Sequence, residues 1–147
     1  MKKIILIAAM VLGFAVAATA QPRALGARIG NGAEISYQHS MDANFLQIDG
    51  GLGIFGDNTM SIGATGVYNF MISEFGDGFG FHAGPGASIG LGVGEANYLN
   101  LGVAGMVGIE YNFDFPLQLS LDFRQHIGIG NGFWCPSSVG LGVRYRF

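Results

Sequence analysis

The chain has 147 residues, of which 26 are Gly, 17 are Phe or Tyr and only 17 are charged, while half are hydrophobic. That balance is too apolar for a disordered tail, and the glycines lack the triplet period of collagen. Glycine at this density weakens helices by about 1 kcal/mol per site, which excludes an all-helical domain and leaves Gly-rich β structure.

The first segment has the form of an export leader. Lys2 and Lys3 precede an uncharged run from 4 to 18, and Ala18-Thr19-Ala20 supplies small residues before Gln21. We read 1–20 as a signal peptide and 21–147 as the folded domain. The 15-residue apolar run falls short of the roughly 20 residues a bilayer-spanning helix needs. Removing the leader removes the only lysines and leaves five Arg against ten Asp and Glu, a formal charge of −5. Nucleic acid, which needs a basic stripe, is therefore not an expected partner. Cys135 is the single cysteine, so no internal disulfide supports the fold.

From residue 24 onward the chain alternates with period two, the signature of strands. In the first segment Leu25, Ala27, Ile29, Ala33, Ile35 and Tyr37 oppose Arg28, Gly30, Gly32, Glu34, Ser36 and Gln38. Further segments follow near 45–55, 60–70, 79–91, 98–113, 116–129 and 138–147. In the last, Val139, Leu141, Val143, Tyr145 and Phe147 alternate with Gly140, Gly142, Arg144 and Arg146. One face is apolar throughout and the other is Gly, Ser and a few charges. A soluble sandwich would place Lys, Glu and Thr in quantity on its water-facing side. A membrane barrel instead turns its apolar face to lipid and fills a narrow lumen with small side chains and paired charges. The reading is an all-β, closed antiparallel up-and-down transmembrane β-barrel.

The segments number seven, whereas closed bacterial barrels have an even count, so eight strands are expected. The missing strand arises from a division at Asn31-Gly32, which leaves two short strands, or from one near Asn131-Gly132. Aromatics gather near the expected strand ends, at Tyr68 and Phe70, Phe79 and Phe81, Tyr111, Phe113 and Phe115, Phe133 and Trp134, and Tyr145 and Phe147. Such clusters suit interfacial girdles. The remaining stretches at 39–44, 56–59, 71–78, 92–97 and 129–137 read as short loops. Gly50, Gly66 and Gly105 fall on the apolar face, where bends or bulges are expected.

The terminal pattern Leu141, Val143, Tyr145, Phe147 resembles the assembly signal of outer-membrane β-barrel proteins, presented as an added strand to the barrel assembly machinery. Residues 108–124, GIEYNFDFPLQLSLDFR, are similar to the small OmpA- or OmpX-type barrels of Gram-negative outer membranes. Phe123, Arg124 and Gln125 stand where that family often continues Trp-Arg-Pro. The resemblance covers the whole mature chain in pattern and residues 108–124 and 140–147 in motif. It implies an outer-membrane location, with lipid and lipopolysaccharide as surroundings, and no particular activity.

Arg28, Glu34, Asp49, Glu110, Asp122, Arg124 and Arg144 share the glycine face of their strands and form the candidate lumenal network. Two roles are open to it: an ion path or gate, and a salt-bridge plug, which the need to pair buried charge favours. Catalysis has little support. His39-Ser40, His82 and His126 offer no nucleophile and base on one face at close spacing, so no enzyme is expected. Three dispersed His and one Cys give no metal-ligand spacing, and no cofactor is expected. Glu74 and Asp77 are a candidate contact for divalent cations bridging lipopolysaccharide, but a solvated turn is the favoured reading. The expected role is structural or interactive in the envelope, with a closed or narrow lumen. A narrow pore for small solutes is the alternative, and a lipid-modifying enzyme a third, disfavoured one.

Overall fold

The computed structural model describes residues 22–30, 32–55, 59–92, 99–129 and 137–147. The expected leader at 1–20, Asn131-Gly132 and Cys135 lie outside them. Eight strands occur in chain order: β1 (Pro22–Ile29), β2 (Gly32–Met41), β3 (Asn44–Phe55), β4 (Thr59–Phe75), β5 (Phe79–Gly92), β6 (Leu99–Asn112), β7 (Leu117–Ile129) and β8 (Ser137–Arg146). Each pairs antiparallel with the next, and β8 returns to β1 through Leu25↔Tyr145 and Ile29↔Leu141, so the sheet closes as a barrel. Closure removes every sheet edge, which a lipid environment requires of strands.

The eighth strand comes from the first segment. Ile29 pairs with Ala33 around a turn in which Gly30 N–H donates to Gly32 O at 3.0 Å. Partners four residues apart keep the alternation in phase through the turn, so period two alone shows no break there. These strands remain short, with 8 and 10 residues, but β2 runs on to Met41, so His39 and Ser40 belong to strand and not to a turn. A second difference lies at 71–75, expected as loop and found as the end of β4. The register shifts between Met71 and Ser73, and this bulge breaks the alternation that would have marked the strand. The turn proper is short, with Gly76 at φ 65° and Gly78 at φ 113°, values that only glycine adopts easily.

No bulge occurs at Gly50, Gly66 or Gly105, where one was expected; the register runs unbroken through all three. Gly66 and Gly105 face open space and simply leave the outer wall shallow. Glycines on the inner side are different. A side chain at Gly26 would meet the Val143 carbonyl and the Arg144 Cα of the neighbouring strand.

Burial is inverted relative to a water-soluble domain. Along β8 Val139, Leu141, Val143 and Tyr145 are exposed, Val139 at 61%, while Arg144 between them is 1% exposed. The same holds around the wall, with Ile29, Ile35, Leu52, Phe70, Leu101, Leu121 and Ile127 outside and Arg, Asp, Gln and His inside. The described aromatics gather at the rim that carries both strand termini. Phe75, Phe79, Tyr111, Phe113 and Phe115 form a continuous series of rings with centroids 4.6–6.0 Å apart. Tyr145 and Phe147 add a further pair at 5.3 Å. Phe133 and Trp134, expected near a strand end, are outside the described residues.

The two kinds of glycine predict opposite tolerances. Gly26→Val forces β1 away from β8 and lowers unfolding free energy by about 2 kcal/mol, within the usual range for overpacking. Gly66→Ala and Gly105→Ala change it by less than about 0.5 kcal/mol. Urea unfolding in detergent micelles, read by the heat-modifiable shift in gel mobility, checks both.

Candidate functional site

Strand alternation delivers every second side chain to the interior, and neighbouring glycines make the room for it. The Arg28 guanidinium lies against Gly140, and that of Arg144 against Gly142. His82 and Asp122 flank Gly108, and Glu110 sits beside Gly80. The register explains part of this: His82↔Gly108, Gly108↔Asp122 and Gly80↔Glu110 are cross-strand partners, whereas Arg28, whose own partner on β8 is Gly142, reaches along to Gly140. Long charged side chains can cross the lumen because the residue beside them has none.

These side chains form one hydrogen-bonded chain along the barrel. At the rim opposite the termini, Arg28 Nε and Nη2 donate to Asp122 at 2.9 and 2.5 Å. Arg28 Nη1 donates to Glu34 at 2.9 Å, and Arg124 Nη2 reaches the same Glu34 oxygen at 2.5 Å. Arg124 Nη1 then donates to Asp49 at 2.8 Å, and Gln47 to the same Asp49 oxygen at 2.8 Å. Gln38 donates to Gln47 at 3.0 Å, and Arg23 to Gln38 at 2.5 Å. Arg23 ends the series on the carboxylate of Glu110. Nine residues from β1, β2, β3, β6 and β7 are thus joined from one rim towards the other.

A second group fills the space beside this chain. Arg144 donates to Ser36 at 2.8 Å and to Ser120 and Gln118 at 2.6 and 3.3 Å. Arg23 stacks over the Phe45 ring at 4.2 Å, and Phe45 meets His82 edge-on at 5.1 Å. His82 Nδ1 lies 3.1 Å from Asn69 Oδ1. Four buried atoms, Asp49 Oδ1, His82 Nε2, Arg124 Nε and Arg144 Nη2, have no hydrogen-bond partner among the described residues.

All seven residues singled out from the sequence point into this interior. Asp122 and Arg124, two apart on one strand, are not partners; Asp122 serves Arg28, and Arg124 serves Glu34 and Asp49. Sequence reasoning passed over Arg23, which precedes the first clear alternation, and the amides Gln38, Gln47, Asn69 and Gln118, which share the inner parity. With Arg23 included, four Arg (Arg23, Arg28, Arg124, Arg144) face four carboxylates (Glu34, Asp49, Glu110, Asp122), and the interior is formally neutral.

The chemistry open to this arrangement is narrow. Its links are guanidinium and amide N–H donors fixed on carboxylate and amide acceptors, and neither donor type gives up its proton near neutral pH. His82 Nδ1 meets Asn69, His126 Nε2 lies 3.4 Å from the Thr65 hydroxyl, and His39 meets the Tyr37 hydroxyl at 3.0 Å.

Barrel closure, an apolar exterior and a polar, filled interior define a class, the small eight-stranded up-and-down barrel. The crystal structure of Neisserial surface protein A is similar in fold, with a TM-score of 0.58 and 17% identity over 86% of this chain and 94% of that one. No family model and no curated protein matches the sequence.

Removing one partner from the chain strands a buried charge. Asp122→Asn is expected to lower unfolding free energy by about 3–5 kcal/mol. Arg28→Gln combined with Asp122→Asn is expected to recover at least about 1 kcal/mol relative to additivity. Guanidinium titrations of the two single variants and the double variant in micelles measure that coupling.

Proposed function

We propose that this chain is an integral outer-membrane β-barrel with a closed lumen and a structural or interaction role in the envelope. One observation carries the reading: a hydrogen-bonded chain from Asp122 to Glu110, brought to formal neutrality by Arg144 beside it, fills a barrel whose outer face is apolar. An exterior bearing Val139, Leu141, Ile35 and Ile29 is costly in water and favourable in hydrocarbon. Salt bridges crossing the lumen oppose the continuous water column that an open pore requires. The similarity in fold to a bacterial surface protein supports the same reading.

In this reading residues 1–20 direct export and are removed, and β8 with Phe147 engages the barrel assembly machinery. The terminal rim faces the periplasm, since short turns such as Asp42–Ala43 lie there. Its aromatic series then sits at the lipid headgroups. Surrounding lipid and lipopolysaccharide are the standing partners, and no catalytic role is assigned.

Planar-bilayer recording tests the closed lumen. The purified barrel is expected to give no steady conductance, and stable steps of about a nanosiemens or more would show an open pore instead. Membrane fractionation tests location: recovery from the soluble periplasmic fraction would refute a barrel in lipid.

A further inference from the structure

Two guanidinium groups distant in sequence converge on one carboxylate oxygen. Arg28 Nη1 and Arg124 Nη2 both donate to Glu34 Oε2, at 2.9 and 2.5 Å. Each cation is also anchored elsewhere. Arg28 holds Asp122 through Nε and Nη2, and Arg124 holds Asp49 through Nη1. Neither arginine therefore needs Glu34 to keep its place. Arg124 Nε, on the same guanidinium, is buried and has no partner among the described residues.

Glu34 differs from the other interior acids. Its side chain is 17% exposed, against 0–1% for Asp49, Glu110 and Asp122. It lies one residue inside the last β1–β2 pair, Ile29↔Ala33, on the lowest part of the wall, whereas β3 and β4 stay paired as far as Phe55↔Thr59. Gly51 is its cross-strand partner and places no side chain beside it. Glu34 can thus turn towards solvent without dragging other side chains. Its departure leaves two fixed cations with uncommitted N–H groups and an interior one positive charge in excess.

We propose that Arg28 and Arg124 form an anion site near the rim opposite the termini, that Glu34 is its tethered resident ligand, and that an external carboxylate or phosphate group takes its place when Glu34 swings out. Geometry suits an oxyanion, because two guanidinium groups from different strands present N–H donors to one oxygen position. Tethering gives Glu34 a high effective concentration, so the site in the natural sequence binds external anions weakly. An external group enters either as a free anion or as the phosphate of a lipid.

The test uses the full-length mature chain in zwitterionic detergent. Calorimetric titration of Glu34→Ala with acetate or inorganic phosphate is expected to show saturable binding at least about tenfold tighter than to the natural sequence. Glu34→Gln keeps the cradle filled with an amide acceptor and is expected to bind no better than the natural sequence. Absent binding to Glu34→Ala, or equal responses from both variants at matched ionic strength, overturns the proposal. A second measurement does not depend on Glu34→Ala folding. In protein labelled with ¹³C-glutamate, phosphate is expected to shift the Glu34 carboxyl resonance saturably, with the signal assigned by its loss in Glu34→Gln. An unmoved resonance overturns the proposal. Dihexanoyl phosphatidic acid binding tighter than inorganic phosphate assigns the site to a lipid phosphate, and equal binding assigns it to a free anion.

Discussion

Among the described residues, four guanidinium groups and four carboxylates share the interior of this barrel, where they pair with one another and with the neutral polar groups between them. This need for mutual neutralisation governs much else in the molecule. It sets the number of acids inside at the number of arginines and explains why Gln38 and Gln47 stand where they do: each links groups too far apart to touch. It also accounts for the glycines. A guanidinium crossing a narrow lumen needs a bare stretch of wall, and Gly140 and Gly142 supply it for Arg28 and Arg144.

The excess acid of the chain is consequently an outside property. Asp42, Glu74, Asp77 and Asp114 lie in or beside the three turns at the terminal rim, so among the described residues the acids in excess of the lumenal set lie at that rim. The same rim carries the ring series from Phe75 to Phe115. Aromatic bodies and acidic tips in adjacent positions suit a boundary between hydrocarbon and water, and this rim is accordingly built differently from the lumen it surrounds.

Most of the wall was legible in the sequence because strand alternation is a local property, fixed by the backbone whatever the strand pairs with. It placed Arg28, Glu34, Asp49, Glu110, Asp122, Arg124 and Arg144 on the inner side. It was silent where the phase carries no information. The Ile29↔Ala33 turn preserves the period, and the Met71/Ser73 bulge destroys it inside a real strand. Partnership was not legible at all. Arg28 meets Asp122, 94 positions away, and nothing in either neighbourhood marks the other. Closure of the sheet alone brings them together.

Those long separations bear on how the barrel comes into being. Arg23 and Arg28 lie on the first strand, but their acids Glu110 and Asp122 lie on the sixth and seventh. The first four strands also hold Glu34 and Asp49, so their interior charge is formally balanced, but only Arg28 finds an ion-pair partner there, in Glu34. What the later strands add is partners and not net charge: Arg23 gains Glu110, Arg28 gains Asp122, and Asp49 gains Arg124 only when β6 and β7 are in place. Four of the five ion pairs thus wait for the sixth and seventh strands, and the interior is fully paired only in the closed sheet.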